Sequence, residues 1–269
     1  MSKIDYGRYT ENLIVELKDR VLTLTLNNPE ALNSTTYAMH WALSRIWDDI
    51  HDDPAVSVVV VTGAGRAFSA GGGVKMMESF IADARLWYET VTEARRIILG
   101  MLGCEKPIIA RVNGHAIGFG ATLALACDII VADERARFGD PHVSVAMVAG
   151  DGGALLWPQA IGYPRAKEFL LTGEQISAKE AAAMGLINYA VPAAELDAKV
   201  AALAAKIVNG ASKAIRWTKR TLNQPLLQLA QSMLDVGLYT ESLSVRDTQD
   251  HPEAVAAFRE KRTPKFKGE

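Results

Sequence analysis

The stretch from Arg111 to Asp128 reads R-V-N-G-H-A-I-G-F-G-A-T-L-A-L-A-C-D. It begins with strand-forming residues, crosses a glycine-rich turn and continues as a helix of small residues through Leu125. Glycine opens backbone conformations that other residues avoid and lets a ligand approach closely. The first N–H groups of a helix lack an internal partner, and the helix dipole makes that end electropositive. The stretch therefore predicts a strand–turn–helix unit that can hold an oxyanion, although tight packing alone also uses such turns.

A second stretch has the same organisation. Residues Gly63 to Val74 read G-A-G-R-A-F-S-A-G-G-G-V and directly follow the apolar run Val56–Val61. Because this run has no polar alternation, it predicts a strand that is buried on both faces. Two strand-then-glycine turns can each direct one backbone N–H at a single carbonyl oxygen. The pair of turns therefore predicts an oxyanion hole.

Together with further blocks, these turns resemble the enoyl-CoA hydratase/isomerase superfamily, which has the crotonase fold. The blocks are N-P-E-A-L-N at 28–33, R-A-F-S-A-G at 66–71, C-D-I-I-V-A-D at 127–133, F-G-D-P at 138–141, L-L-T-G at 170–173 and A-F-R-E-K-R at 257–262. The resemblance covers nearly the whole chain. It implies an α/β fold of the ClpP/crotonase type, a spiral of ββα units with a C-terminal α-helical trimerisation region. We assign residues 1–192 to the core with the active site and residues 193–269 to the helical oligomerisation region.

Composition narrows the class of protein. The chain has 269 residues, of which 49% are hydrophobic and 22% are charged, as expected for one globular unit. A net charge of −2 gives no broad basic field for nucleic acid, and no apolar run is long enough to cross a membrane. Cys104 and Cys127 have neither metal-ligand spacing nor a disulfide pattern, and the N-terminal residues do not resemble a secretory signal. We expect a cytoplasmic protein without a metal or a separate cofactor.

Periodicity and end signals predict the remaining elements. A hairpin is expected at 13–26, and a helix capped by Ser34 or Thr35 runs to about Ile50. Met76 to Leu102 reads as one long helical stretch; its aromatic and methionine residues are expected in the core, and in the family this region shapes the acyl pocket. The C-terminal part is predicted as four helices, at 195–208, 212–222, 226–245 and 252–261.

The resemblance places the two oxyanion N–H groups on Gly72 and Phe119. Gly73 stands where the family commonly has an aspartate, which implies a differently braced turn. Typical hydratases use two glutamates as acid and base, and here those positions hold Thr122 and His142. Threonine cannot act as a base near neutral pH, whereas histidine can. Conventional water addition therefore lacks its usual pair of carboxylates.

His142 and Asp151 form the alternative pair of catalytic residues. If the connecting loop folds back, the Asp151 carboxylate could accept an imidazole N–H, fix the tautomer and leave the other nitrogen as the base. The plainer interpretations are that Asp151 caps a helix and that His142 is a packed residue. The segment V-A-G-D-G-G-A-L-L-W-P at 148–158 resembles crotonase-fold hydrolases that cleave the C–C bond of cyclic β-diketones without CoA. Dihydroxynaphthoyl-CoA synthases have an aspartate at nearly this place.

Those diketone hydrolases can carry additional histidines around the pocket. Here Phe119 occupies the turn, and His40 is the nearby candidate on the first helix. We expect His115 to be structural, His51 and His251 to lie on the surface at helix ends, and Cys127 to lie in the core.

A CoA substrate needs anchors for its phosphates and for its bent linker. Arg66 lies beside the oxyanion block, and the resemblance implies backbone contacts around Ala67 and Ala70. The predicted substrate-binding set is completed by three further residues, Ala31, Gly118 and Thr122. Candidate phosphate ligands on the late helices, which surface solvation alone would also explain, are Lys213, Lys219 and Lys261.

The resemblance thus implies a homo-oligomeric enzyme, a trimer or a dimer of trimers, that acts as a lyase of the enoyl-CoA hydratase/isomerase type on an acyl-CoA. CoA enters only as part of the substrate. One alternative is a β-diketone C–C hydrolase that acts on another small carbonyl substrate with the same pair of residues. A second alternative is a catalytically silent member that serves as a binding or assembly subunit.

Overall fold

The computed structural model describes residues 2, 4–9 and 12–269. Its strands form a six-stranded sheet in the order β1-β2-β3-β4-β6-β9 and a three-stranded sheet in the order β5-β7-β8. The strands are β1 (Leu13–Lys18), β2 (Val21–Leu26), β3 (Val58–Gly63), β4 (Ile108–Val112), β5 (Ala116–Ile117), β6 (Ile129–Asp133), β7 (Arg137–Gly139), β8 (Gln175–Ser177) and β9 (Tyr189–Val191). Strands β1 and β2 form the predicted hairpin, and the other pairings of the large sheet are parallel.

Helices surround the sheets and make up the C-terminal part. They are α1 (Tyr37–Leu43), α2 (Ile46–Asp52), α3 (Val74–Ala82), α4 (Ala84–Gly103), α5 (Phe119–Leu125), α6 (Gly153–Ile161), α7 (Tyr163–Thr172), α8 (Ala178–Ala183), α9 (Ala193–Val208), α10 (Ser212–Arg246) and α11 (Asp250–Glu260). Short 3-10 helices lie at Tyr6–Arg8, Pro29–Ala31 and His142–Val145. The predicted α/β order with a helical C-terminal segment is confirmed. Within the described part of the chain, no helix combines the length and apolarity needed to cross a membrane.

Strand β3 is buried at every position, as its uninterrupted apolar sequence predicts. Val59 and Val61 face the main core, whereas Val58 and Val60 face a smaller cluster that includes Leu196 of α9. Because β3 and β4 are parallel neighbours, both of their carboxyl ends lie at one edge of the sheet. The two glycine-rich turns leave the sheet at that edge.

Three predicted helix boundaries are wrong. The stretch 76–102 breaks at Asp83, whose side chain accepts a hydrogen bond from the Arg85 N–H and begins α4. The helix that was expected to reach Ile50 is interrupted at Ser44 and Arg45, and Thr36 rather than Ser34 or Thr35 caps its start.

The predicted break between the second and third C-terminal helices is also wrong. The helices expected at 212–222 and 226–245 are one helix, α10, which contains Pro225. A proline inside a helix costs about 3 kcal/mol. Helix α10 packs along α4, and the Asn223 side chain donates a hydrogen bond to the Leu102 carbonyl. These contacts offset the cost of the proline within the helix.

Candidate active site

The two glycine-rich turns meet at the edge of the sheet. Gly71 has a φ of 77°, and a Cβ atom there would lie 2.6 Å from the Ile117 carbonyl oxygen and 3.2 Å from the Phe119 nitrogen. Only glycine permits both this left-handed conformation and this approach. Ser69 also pairs with Ala116 in a parallel bridge. The turns therefore form one rigid unit rather than two separate loops.

The predicted oxyanion donors both face the pocket that this unit borders. Phe119 is the first residue of α5, so its N–H has no acceptor within the helix. Gly72 and Phe119 both line the pocket. In the portion of the chain that the structure describes, neither N–H donates to another residue's backbone or side chain. Two uncommitted N–H groups on one pocket wall are what stabilisation of an oxyanion requires.

The pocket has a narrow inner part and a wider outer part. The inner part has a volume of about 70 Å³ and is lined mostly by apolar side chains from α3, α4 and α10. The outer part has a volume of about 490 Å³ and extends toward Val255 and Phe258 of α11. Gly72, Phe119 and His142 line both parts. These three residues therefore lie where a substrate passes from one part into the other.

His142 is held by a carboxylate that the sequence interpretation overlooked. Its Nδ1 forms a short hydrogen bond with Oδ1 of Asp140, while its Nε2 lies 3.5 Å from Oδ2 of Asp151. The prediction that Asp151 lies beside His142 is correct in placement. The prediction that Asp151 orients the ring and leaves the other nitrogen free is wrong, because Asp140 holds Nδ1 and Asp151 faces Nε2.

Local sequence explains the position of Asp140. It is fully buried, and a Cβ atom on Gly153 would overlap its Oδ2 atom. Glycine at the first turn of α6 thus leaves room for this carboxylate. Since Asp140 and His142 are separated only by Pro141, the turn before the 3-10 helix directs both side chains to the same place.

Asp151 is fixed from its other side by Thr122. The Thr122 hydroxyl donates a hydrogen bond of 3.3 Å to Oδ1 of Asp151, and both residues are buried. Thr122 does not line the inner pocket. Thr122, which stands where typical hydratases have a glutamate, therefore positions Asp151 and does not face the inner pocket.

These contacts change the protonation of His142. Burial alone would lower its pKa, but the negative charges of Asp140 and Asp151 outweigh burial and raise the pKa well above the ordinary value. Burial also raises the pKa of Asp151, against the opposing effect of the imidazolium. The raised pKa favours the protonated ring, whose Nε2 lies 3.5 Å from Oδ2 of Asp151.

Glu241 is a site residue that sequence interpretation missed. It projects from α10 into the wall of the inner pocket and is 3% exposed. Its Oε2 atom is buried and has no hydrogen-bond partner in the described residues. Burial, together with the charge of Asp151, raises the pKa of this carboxyl well above its ordinary value. The buried site therefore favours the uncharged form of the Glu241 carboxyl.

A contact between two glycines brings α10 to the site. A Cβ on Gly237 would lie 2.8 Å from the Gly150 carbonyl oxygen, so the two backbones are in direct contact. A Cβ on Gly150 would in turn lie 2.9 Å from Oε2 of Glu241. Side chains at either glycine would push the helix and Glu241 away from the pocket.

A second histidine, His40, also lines the inner pocket. It is buried, its Nδ1 lies 3.1 Å from Oε2 of Glu93, and its ring lies 5.2 Å from the Phe119 ring. Arg45 donates a 2.9 Å hydrogen bond to the other oxygen of Glu93. Burial would raise the pKa of Glu93, but the contacts with His40 and Arg45 lower it, so the group is ionised. The ionised Glu93 therefore accepts a hydrogen bond from Nδ1 of His40.

Only some of the predicted CoA-contacting residues line the pocket. Ala31, Ala70 and Gly118 line the outer part of the pocket. Arg66 is exposed, whereas Ala67 is buried and its carbonyl oxygen accepts hydrogen bonds from Asn33 and Asn113. Ala67 is therefore committed to holding the turn.

Two further predictions are corrected and two agree with the structure. Lys219 is buried, and its Nζ contacts the Lys106 carbonyl and Asp128, so it does not reach a phosphate. His251 is fully buried, with Nδ1 against the Val145 carbonyl, and is not a surface residue.

Cys127 lies in the core. His115 is structural, because its Nδ1 accepts a hydrogen bond from the Arg137 N–H. Lys213 and Lys261 are exposed.

Asp140, His142 and Asp151 also offer metal-ligand atoms within 4.8 Å of one another. Both imidazole nitrogens, however, face a carboxylate oxygen. A ring that binds a metal must free one nitrogen of its proton. Binding of a metal through His142 would therefore require that the ring give up one of these two contacts.

Fold and site together define a crotonase-type enzyme scaffold with two backbone N–H groups directed at one pocket. The family described as enoyl-CoA hydratase/isomerase matches residues 16–269, and the chain belongs to that family. It is 37% identical to (E)-benzylidenesuccinyl-CoA hydratase of Thauera aromatica, over 94% of this chain and 98% of that protein. It is 35% identical to 2,3-dehydroadipyl-CoA hydratase of Escherichia coli, over 95% and 98%. A crystal structure of an enoyl-CoA hydratase/isomerase from Mycobacterium paratuberculosis superimposes with a TM-score of 0.89 at 40% identity, over 92% of this chain and 98% of that one.

Proposed function

We propose that this chain processes an acyl-CoA by stabilising its thioester enolate, with the His142–Asp151 pair in place of the two glutamates of a typical hydratase. Its family and its hydratase relatives make it an enzyme of hydratase/lyase type. The observation that carries the proposal is the position of His142, which lies at the junction of the two pocket parts together with Gly72 and Phe119.

The pair supplies both halves of proton chemistry. An acyl-CoA hydratase needs one group that takes a proton from water and one that delivers a proton to carbon. Asp151 is the acceptor in the pair, and the imidazolium of His142 is the donor. The N–H groups of Gly72 and Phe119 bind the thioester oxygen as charge develops on it, and so favour the transition state over the ground state.

The wider outer part of the pocket suits the CoA portion. Ala31 and Ala70 line one side of it, and Val255 and Phe258 of α11 line the other. Phe258 is 64% exposed, so its ring can pack on a flat group at the mouth. Arg66, Lys213 and Lys261 are exposed cations that can pair with phosphates. CoA is then part of the substrate and not a separate cofactor.

The test is the loss of the conjugated thioester absorbance when the protein is mixed with crotonyl-CoA. We expect turnover that falls about 10²- to 10⁴-fold in His142→Ala, the usual range for a general acid–base group. His115→Ala is the matched control, because it removes an imidazole that lies outside the pocket. Undiminished turnover in His142→Ala would contradict the proposed role of the pair.

A CoA-independent β-diketone C–C hydrolase is the second candidate. The second histidine–carboxylate pair, His40 and Glu93, favours it, because a diketone has two oxygens that need polar partners. Inertness toward crotonyl-CoA together with cleavage of a cyclic 1,3-diketone would establish this candidate over the first. A protein inert toward both would be the silent member of the family.

The oligomer is proposed on the resemblance and on the surface of α10. Large apolar side chains at Trp217, Leu222 and Tyr239 are more than half exposed in the single chain. Such a surface is typical of subunit contacts. We expect a trimer or a dimer of trimers, which light scattering on a sizing column measures directly.

A further inference from the structure

We propose that Glu241 is a specificity-determining residue that donates a hydrogen bond to a second oxygen on the acyl group, so that the site prefers an acyl group with a further carbonyl over an unsubstituted acyl chain. This inference rests on the acyl-CoA function proposed above. It adds to that function a requirement on the acyl part, which the oxyanion hole and the His142–Asp151 pair do not impose.

Geometry makes Glu241 available to a ligand. The side chain is almost entirely buried, yet it lines the inner part of the pocket. Its Oε2 atom is buried and forms no hydrogen bond within the described residues. A buried polar group without a partner costs about 1–3 kcal/mol. A bound substrate that supplies the partner removes this cost, and an apolar acyl chain does not.

Other polar groups of the inner pocket are already committed. The hydroxyls of Thr35 and Thr90 donate to the carbonyl oxygens of Gly71 and Leu86. Nδ1 of His40 is hydrogen-bonded to Glu93. Apart from the Gly72 and Phe119 N–H groups, which face the thioester oxygen, the carboxyl of Glu241 in its protonated form is the donor without a partner among the described residues of the inner pocket.

The chemistry of that donor selects the ligand. Glu241 lies near Asp140, Asp151 and His142, and the two aspartates disfavour a further negative charge. An anionic acyl terminus is therefore excluded, whereas a neutral carbonyl oxygen is a good acceptor for a carboxylic acid O–H. With the thioester oxygen on Gly72 and Phe119, a carbonyl further along the acyl chain enters the inner pocket, where Glu241 lies.

The experiment compares acetoacetyl-CoA with butyryl-CoA, which have the same chain length and differ by the 3-oxo group. Dissociation constants are measured by calorimetry for the wild type, Glu241→Gln, Glu241→Leu and the control Leu238→Met. A hydrogen bond is worth about 0.5–1.5 kcal/mol. We therefore expect the wild type to prefer acetoacetyl-CoA about 3- to 10-fold.

The variants separate donation from wall shape. Glu241→Gln keeps an N–H donor and should keep the preference, whereas Glu241→Leu should lose it. Leu238→Met changes the wall one turn earlier on α10 and should weaken both thioesters equally. Equal binding of both thioesters by the wild type, or an unchanged preference in Glu241→Leu, would overturn the inference.

Failure of the proposed function is distinguishable from failure of this inference. If no CoA thioester binds, the acyl-CoA function is wrong. The same four proteins are then tested with acetylacetone and pentan-2-one, which carry the same difference without CoA. A preference for the diketone that Glu241→Leu abolishes supports the role of Glu241; an equal response to both ketones contradicts it.

Discussion

Asp140 accepts the hydrogen bond from Nδ1 of His142, and Asp151 faces the opposite nitrogen of the same ring. The imidazole is therefore flanked by two carboxylates, one hydrogen-bonded to Nδ1 and one 3.5 Å from Nε2. Because both charges favour the protonated ring, the pKa of His142 is raised despite its burial. The proposed function uses this arrangement as an acid beside a proton acceptor.

Asp140→Asn tests the orienting role. Loss of the negative charge should lower the pKa of His142 toward its ordinary value. Activity that needs the protonated ring should then fall at a lower pH than in the wild type, so the alkaline limb of the kcat profile moves toward acid. A profile that keeps its alkaline limb in place, with only a lower plateau, would assign Asp140 a purely structural role.

Phe119→Pro tests the backbone donor. Proline is tolerated at the first residue of a helix, and Phe119 begins α5, but proline has no N–H. We expect a loss of about 10²- to 10³-fold in kcat, the usual effect of removing one oxyanion donor. Phe119→Ala is the matched control, because it removes the ring and keeps the N–H. A similar loss in both variants would mean that the ring, not the donor, matters.

Gly153→Ala tests the space that Asp140 occupies. The added methyl group would overlap Oδ2 of Asp140 and lie 3.2 Å from the Ala149 side chain. Overpacking of this kind costs about 1–3 kcal/mol. We expect a lower midpoint of thermal unfolding and reduced turnover. Combining Gly153→Ala with Asp140→Ala should recover the midpoint in part but should not recover the turnover. Unaltered unfolding in the single variant would show that the loop relaxes without cost.

Glu241→Gln tests the uncharged acid through the pH dependence of stability. The pKa of Glu241 is higher in the folded than in the unfolded chain, so between these values the folded state binds one more proton. Stability therefore falls as pH rises through this window, by about 1.4 kcal/mol per pH unit for this group. His142 and Asp151 act in the same direction. Denaturant unfolding from pH 5 to 8 should show a shallower decline in Glu241→Gln; parallel declines would mean that Glu241 is ionised in the folded protein.

Local signals were sufficient for the turns and for part of the site. The glycine-rich segments come directly after buried strands, where a few residues determine the backbone path, and the family resemblance places Gly72 and Phe119 within them. Asp140 could also have been inferred, since it is two residues from His142 and a proline stiffens the link. The sequence interpretation considered Asp151 alone as the partner, because only that residue resembled a known pair.

Glu241 could not be placed by motif, because it lies about a hundred residues from His142 on another helix. One signal was present: Leu234, Leu238, Glu241 and Val245 share a buried face of α10, so an acid interrupts an apolar stripe. The helix itself was divided in two at Pro225, which hid the continuity of that stripe. Tertiary contacts with α4 and the Gly150–Gly237 approach determine where the stripe lies, and these are not local properties.

The most direct test of the central claim is deuterium incorporation at Cα of butyryl-CoA in D₂O, followed by mass spectrometry. It requires only an enolate held by the oxyanion hole and a proton carrier beside it, and so does not depend on which overall reaction the enzyme completes. We predict incorporation by the wild type that falls at least about 10²-fold in His142→Ala and is unchanged in His115→Ala. Binding of butyryl-CoA without exchange, or full exchange in His142→Ala, would contradict the assignment of enolate chemistry to His142 and Asp151.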